Sequence, residues 1–191
     1  MMMNTEVEGY RAQGLLRDGR LVHIRSIHSS DKPILQEGMH HLSSNSLYYR
    51  FLTPKRELTE EELVFFTEID YFHHVGLLAS VVEDGKEVPA AVGRYVSASN
   101  CLPVSADLGF AVSDEYQGLG IGTLLMQHLI LIARQSGVKQ FTALVLPDNK
   151  KMLRVFRKSG LKISEKVNSV GALELVLDLE SSNGSSPCVI V

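Results

Sequence analysis

The chain has 191 residues, 45% of them hydrophobic, and a formal net charge of −3. That size suits one domain with a real core, and the faint acidity excludes the global basic field that nucleic-acid binding uses. No apolar run reaches the roughly 18 residues that span a bilayer. The two cysteines, Cys101 and Cys188, are far apart without a CxxC, which argues for a reducing cytoplasm and against a disulfide framework or structural zinc.

In chain order, Met1 to Asn4 precede the acid-containing run Thr5 to Glu8, with no apolar signal core. Leu21 to Ile27 alternates as a first strand. Ser29-Ser30-Asp31-Lys32-Pro33 reads as an N-cap with proline in the first turn, followed by a helix from Pro33 to about His41. Thr59-Glu60-Glu61-Glu62 is a capping box opening a second helix. Val75 to Val82 and Val88 to Ser97 are strands joined through Asp84-Gly85. Ala106 to Val112 is the fourth strand. A third helix follows, with Ile121, Leu124, Leu125, Leu129 and Ile132 on one face and Gly137 capping its end. Gln140 to Leu146 is the fifth strand, and Asp148 or Asn149 caps a fourth helix that ends at Ser159-Gly160. Leu161 to Val167 and Val170 to Leu177 form a closing hairpin. The Ser/Gly/Pro-rich tail 181–191 is set apart from a single domain over 1–180. Its last residues, Cys188-Val189-Ile190-Val191, match a C-a-a-X box by form only, because no basic cluster supports it.

The run Gln117-Gly118-Leu119-Gly120-Ile121-Gly122-Thr123 stands between the fourth strand and the third helix. Alternate glycines strip side chains from the helix start, so its first N–H groups are bare and favour an anion, above all a phosphate. The spacing is G-x-G-x-G, so it is not the dinucleotide fingerprint, and no Gly-Lys-Ser/Thr triplet marks a P-loop. A tight-packing turn is the plainer alternative.

The segment from Val112 to Thr123, with Gln117-x-x-Gly120-x-Gly122 inside it, resembles the acyl-CoA pyrophosphate loop of the GNAT N-acyltransferase superfamily. Downstream, Asn149, Phe156 and Gly160-Leu161 match that family's Asn, aromatic and Gly-Phe-like positions. The resemblance covers roughly Leu21 to Leu179, and the element order fits it. It implies an α/β GNAT fold: a mixed, mostly antiparallel sheet of about seven strands, with strands four and five splayed apart and about four flanking helices.

The resemblance also implies a site. The pantetheine arm of acetyl-CoA would bond backbone groups of Phe110, Ala111 and Val112. Its pyrophosphate would meet the amides of Gly118, Leu119, Gly120, Ile121, Gly122 and Thr123, with the Thr123 hydroxyl adding a bond. Asn149 and Phe156 would lie near the arm, and Lys150 or Lys151 near the adenosine phosphates. The basic set Lys150, Lys151, Arg154, Arg157 and Lys158 reads equally as a solvated helix face. An attacking amine must be neutral, and a free lysine has a pKa of about 10.4, so a general base helps. GNAT enzymes often place a Glu on the fourth strand for this. Asp107 matches that position, one methylene shorter, with Glu83, Asp70 and His73 or His74 in reserve. The Val112 amide would meet the oxyanion. Phe156 stands where many members carry a proton-donating Tyr, so either water or another group protonates the thiolate, or the thiolate simply leaves.

The N-terminal third narrows the acceptor. Asp18-Gly19-Arg20 to Arg25, Leu42-Ser43-x-x-Ser46-Leu47-Tyr48-Tyr49-Arg50-Phe51-Leu52, Leu58-Thr59 and Ile69-Asp70-Tyr71 are similar to the GNAT domain of bacterial protein lysine acetyltransferases, which modify acyl-CoA synthetases. Those enzymes usually carry a fused regulatory domain; none is read in these residues, so that implication does not transfer. Six acids from Glu57 to Asp70 form either an acidic rim that draws a cationic amine or a solvated helix with acids at its N-terminus. The pairs His40-His41 and His73-His74 lack metal-ligand spacing, so no metal is expected. The expected activity is transfer of acetyl from acetyl-CoA to a primary amine, a protein lysine in the first place. A small-amine acceptor and a non-turning acyl-CoA sensor are the alternatives. Neither a nucleic-acid nor a membrane partner is expected, and a homodimer stays open.

Overall fold

A computed structural model describes residues 4–97 and 104–180. Both cysteines and the 181–191 tail lie outside them. The elements run α1 (Asn4–Glu8), β1 (Arg11–Leu15), β2 (Leu21–Ser26), α2 (Lys32–Gly38), α3 (Ser44–Phe51), α4 (Glu60–Thr67), β3 (His74–Glu83), β4 (Lys86–Ser97), β5 (Ser105–Val112), α5 (Ile121–Gln135), β6 (Gln140–Val145), α6 (Lys150–Arg157), β7 (Lys162–Val167) and β8 (Leu173–Asp178). One sheet holds the strands in the order β1-β2-β3-β4-β5-β6-β8-β7. All neighbours are antiparallel except β5 and β6.

The mixed α/β architecture matches the expectation, with eight strands in place of about seven and six α-helices in place of about four. The additions have physical reasons. β1 is an edge strand with an exposed, weakly patterned face, so alternation does not reveal it. α3 is capped by Ser43, whose Oγ accepts the Ser46 N–H at 3.3 Å, and it stops at Leu52 in the left-handed region. Its apolar residues are too few to declare it. The helix read from Pro33 to His41 ends earlier, at Gly38, and continues as a 3-10 turn.

Local chemistry explains the elements the sequence did reveal. Thr59 and Glu62 cap α4 reciprocally, at 3.2 and 2.8 Å. Asp84 and Gly85 both have positive φ, the type I′ geometry that suits a two-residue hairpin. Beyond that turn the register shifts between Ala79 and Ser80, opposite Pro89 and Ala91, so Ala90 bulges out of β4. Leu125, Met126, Leu129 and Ile132 of α5 are fully buried against the sheet. A separate small core of Leu35, Met39, Leu47, Leu58 and Leu63 holds α2, α3 and α4 on the opposite face.

Candidate active site

β5 and β6 pair only over Ser105–Asp107 and Gln140–Thr142. Beyond that they diverge, and a cleft of about 600 Å³ opens between them. Leu108 to Val112 form one wall and Ala143, Leu144 and Val145 the other, with α3 above and the α5 and α6 N-termini at one end.

The register decides which backbone groups face this cleft. Ser113 N–H bonds the Ala90 carbonyl at 2.9 Å, and Val112 stands opposite Ala91 in an unshifted ladder. Antiparallel pairs alternate between bonded and non-bonded. Ala111 and Gly109 therefore spend their backbone groups on Val92 and Arg94 of β4. The Leu108 amide closes the last β5–β6 rung with Thr142, and beyond it the groups of Phe110 and Val112 turn toward the cleft, where Gln117 takes the Val112 carbonyl. This corrects the expectation for Ala111: it lines the cleft, but its amide and carbonyl belong to the sheet. Buried backbone groups without a ladder partner need one from elsewhere.

The end of the cleft is an amide cradle. Gly118 and Gly120 have φ of +81° and +101°, a region that disfavours side chains, and Gly120 caps α5. Among the described residues, no backbone carbonyl receives the amides of Gly118, Leu119, Gly120, Ile121 or Gly122. The Thr123 amide is different. It bonds the Gly120 carbonyl at 3.0 Å, so of the expected set it is the one already spent, although the residue lines the cleft. At Gly122 a Cβ would lie 3.4 Å from Val155, in ordinary contact with α6. The cradle's bare amides and the unpaired β5 groups fit a pyrophosphate joined to an amide-bearing arm.

Gln117 ties the surroundings together. Its Nε2 donates to the Val112 carbonyl at 3.0 Å, Ser46 Oγ at 3.1 Å and Asp114 Oδ1 at 2.9 Å. Its Oε1 accepts from Lys151 Nζ at 2.6 Å. Asn149 caps α6, its Oδ1 taking the Met152 N–H at 3.1 Å. Lys150, Lys151, Arg154 and Lys158 line the cleft and Arg157 does not, so the basic face of α6 is divided. Phe156 is 2% exposed and meets Phe110 edge to face at 6.2 Å, as core and cleft wall at once.

Asp107 occupies the last paired rung, exposed, and accepts a hydrogen bond from Thr142 Oγ1. The reserve groups are engaged elsewhere: Glu83 with Arg20, Asp70 with the amides of Phe72, His73 and His74, and His73 with Asp70. Burial, with the nearby Arg94 charge, pushes the His74 pKa down to about 4, so His74 is neutral near pH 7. Four of the six acids from Glu57 to Asp70 are paired. Glu60 and Glu68 pair with Lys32, Glu62 with Lys55 and Asp70 with His73.

Several cleft residues escaped the sequence reading. Arg17, in the β1–β2 turn, donates to the Gly118 carbonyl at 3.1 Å; it was hidden because β1 was. Tyr49 Oη donates to Asp148 Oδ2 at 3.2 Å, bridging α3 to the loop before α6. Arg50 lies against Gly109, where a Cβ would be 2.9 Å from Nη2. Tyr49 and Arg50 belong to the N-terminal motif Leu42 to Leu52, but α3 is not evident in the sequence, so the motif alone gives them no direction. Among the described residues, no group of three or more His, Cys, Asp or Glu side chains could hold a metal, and no helix is long and apolar enough to cross a membrane.

Comparisons with known proteins agree with this geometry. The model of the acetyltransferase (GNAT) family matches residues 38–161. The chain is 32% identical over 146 residues to acetyltransferase PA5475 of Pseudomonas aeruginosa, covering 76% of this chain and 77% of that protein. It is 33% identical over 146 residues to acetyltransferase Pat of Mycolicibacterium smegmatis, covering 76% of this chain but only 42% of that longer protein. The crystal structure of the GNAT domain of S. lividans PAT superposes with a TM-score of 0.78 at 31% identity, over 88% of this chain and 96% of that one. The splayed strands, the bare glycine cradle and these matches together place the chain in the acetyltransferase (GNAT) family, whose members are acyl-CoA-dependent N-acyltransferases.

Proposed function

We propose that the protein transfers the acetyl group of acetyl-CoA to a primary amine, a protein lysine side chain, by direct attack within a ternary complex. The observation that carries this reading is the set of backbone groups without a ladder partner, both of Phe110 and the amide of Val112, followed by the amides of Gly118 to Gly122. An extended amide-bearing arm ending in a pyrophosphate completes both. The lysine acceptor draws support from the N-terminal motifs and from the likeness to acetyltransferase Pat and the S. lividans PAT domain.

Residues then take these roles. The Phe110 and Val112 backbone groups orient the arm, and Lys151, held by Gln117, stands near the phosphates. Asp107, held by Thr142, accepts the amine proton through a water, since its side chain is short. The neutral nitrogen attacks the thioester carbonyl, the Val112 amide stabilises the oxyanion, the new C–N bond forms and the C–S bond breaks. The thiolate leaves and takes its proton from solvent, because Phe156 has none to give.

The test is CoA release from acetyl-CoA, followed by thiol detection, with a bacterial acetyl-CoA synthetase and in parallel a pool of small amines. Release with the synthetase, together with its inactivation, supports the lysine reading. Release with the amines alone moves the protein to metabolite acetylation. Binding of acetyl-CoA without release from either supports a sensor.

A further inference from the structure

Two arginines, Arg94 buried and Arg50 partly buried in the cleft wall, lie close together, and neither meets an acid. Arg94, on β4, is 4% exposed. Its guanidinium lies 4.3 Å over the Phe66 ring, and its Nη1 is 3.2 Å from the Phe66 carbonyl and 3.1 Å from His74 Nε2. Arg50, on α3, approaches the same ring at 5.7 Å. Among the described residues, no carboxylate lies within 4.0 Å of either. A buried cation is expensive unless an anion compensates it. The strain shows in the Arg94 pKa, which burial and the Arg50 charge push down to about 9.

Both arginines line a cavity of about 70 Å³ that shares Leu42, Arg50 and Ala111 with the cleft. The cavity therefore opens beside the strand along which the arm would run, on the face of α2, α3 and α4. The rest of its wall is mostly apolar, with Leu35, Met39 and Phe51 among its members.

We propose that Arg50 and Arg94 receive a carboxylate that the acceptor carries next to its attacking amine. The proposal rests on the acetyl-transfer reading of the cleft. A guanidinium matches a carboxylate in a two-bonded fork. The apolar wall favours a monoanion on a short aliphatic stem over a phosphate, whose second charge would also have to be desolvated. Two cations near the amine also disfavour its charged form, which is the form that cannot attack. The carboxylate has two sources, the α-carboxylate of a free amino acid or an acidic side chain adjoining the target lysine in a protein.

The experiment uses the full chain, acetyl-CoA and matched acceptors: leucine against leucinamide, and the end-blocked peptides Gly-Lys-Asp against Gly-Lys-Asn. The acid member of one pair is expected to show a kcat/KM at least about tenfold higher, where one tenfold step is about 1.4 kcal/mol. The pair that does so identifies the source. Arg94→Met should bring that ratio to about one while acetyl-CoA affinity is retained, and Arg50→Gln serves if the first variant does not fold. Without any variant, 4-methylpentanoate should compete with the acceptor, and 4-methylpentanamide should not. Equal turnover of acid and amide in both pairs overturns the proposal. If no acceptor is acetylated, the transfer reading fails by itself. The CoA-loaded protein then still reports on the arginines: a higher Tm with 4-methylpentanoate than with the amide supports the site, and equal Tm values overturn it.

Discussion

Asp107 and His74 show how position, more than residue type, sets the role of a titratable side chain. Asp107 is exposed at the rung where β5 and β6 part, with Thr142 donating to it. Asp107→Asn is expected to lower kcat by about 100-fold, the usual range for a lost general base, and to leave acetyl-CoA affinity unchanged. A pre-steady-state and binding comparison decides it, and wild-type turnover across the pH range removes Asp107 from the mechanism. His74 is buried and neutral, with Nε2 placed to accept from Arg94. Its pKa is depressed to about 4 in the fold against 6.5 when unfolded. The unfolded chain therefore takes up the proton first as pH falls. Stability is complete above pH 6.5 and declines toward pH 4, by up to roughly 3 kcal/mol for a shift of this size. His74→Gln, which keeps an acceptor for Arg94, should flatten that decline in urea midpoints measured against pH.

At the level of elements, the splay of β5 from β6 leaves backbone groups of β5 without a ladder partner, the surface on which the proposed acyl-CoA site rests. Parity along β5 makes the effect residue-specific. Amide hydrogen exchange at Phe110, Val112 and Gly118 to Gly122 should be fast in the free protein and slow with CoA, whereas Gly109 and Ala111 should be slow in both. Protection that fails to alternate would contradict the register. The cradle itself depends on left-handed glycines at the start of α5. Gly120→Glu places a side chain at φ +101° and a negative charge among the amides meant for phosphates. It should abolish acetyl-CoA binding in a folded protein, as calorimetry would show, and undiminished affinity would remove the cradle's assigned role. Capping is a matter of stability alone at α4, where Thr59→Ala should cost about 1 kcal/mol by denaturant titration.

Across the whole molecule, two cores divide the labour. The larger joins α5 to the sheet and supports the cradle; the smaller holds α2, α3 and α4 over the opposite face, beside Arg50 and Arg94. A satellite core of few side chains is the part most ready to open locally. Leu47→Ala, in that satellite, should therefore raise the acceptor KM several-fold while the affinity for acetyl-CoA changes little. Equal effects on both substrates would show that the two faces are coupled through the sheet.

Much of this was legible in the residues themselves, because it rests on local chemistry. The alternate glycines after an apolar strand, the Thr59 capping box, the Asp84-Gly85 turn and the periodic face of α5 each act within a few positions along the chain. The family signature spans the same short range. β1 and α3 escaped because exposed edges and short helices carry little apolar pattern. What the tertiary structure decided were relations between distant segments. The pairing register turned the backbone groups of Ala111 to β4 and those of Phe110 and Val112 toward the cleft. Lys32, distant along the chain, came to pair with Glu60 and Glu68 of the acidic stretch. Packing of α3 on β5 carried Arg50 to Gly109, and the approach of α4 to β4 set Phe66 over Arg94, leaving two cations without acids. Charge in a sequence is a count; whether it is paired depends on which segments the fold brings within a few ångströms.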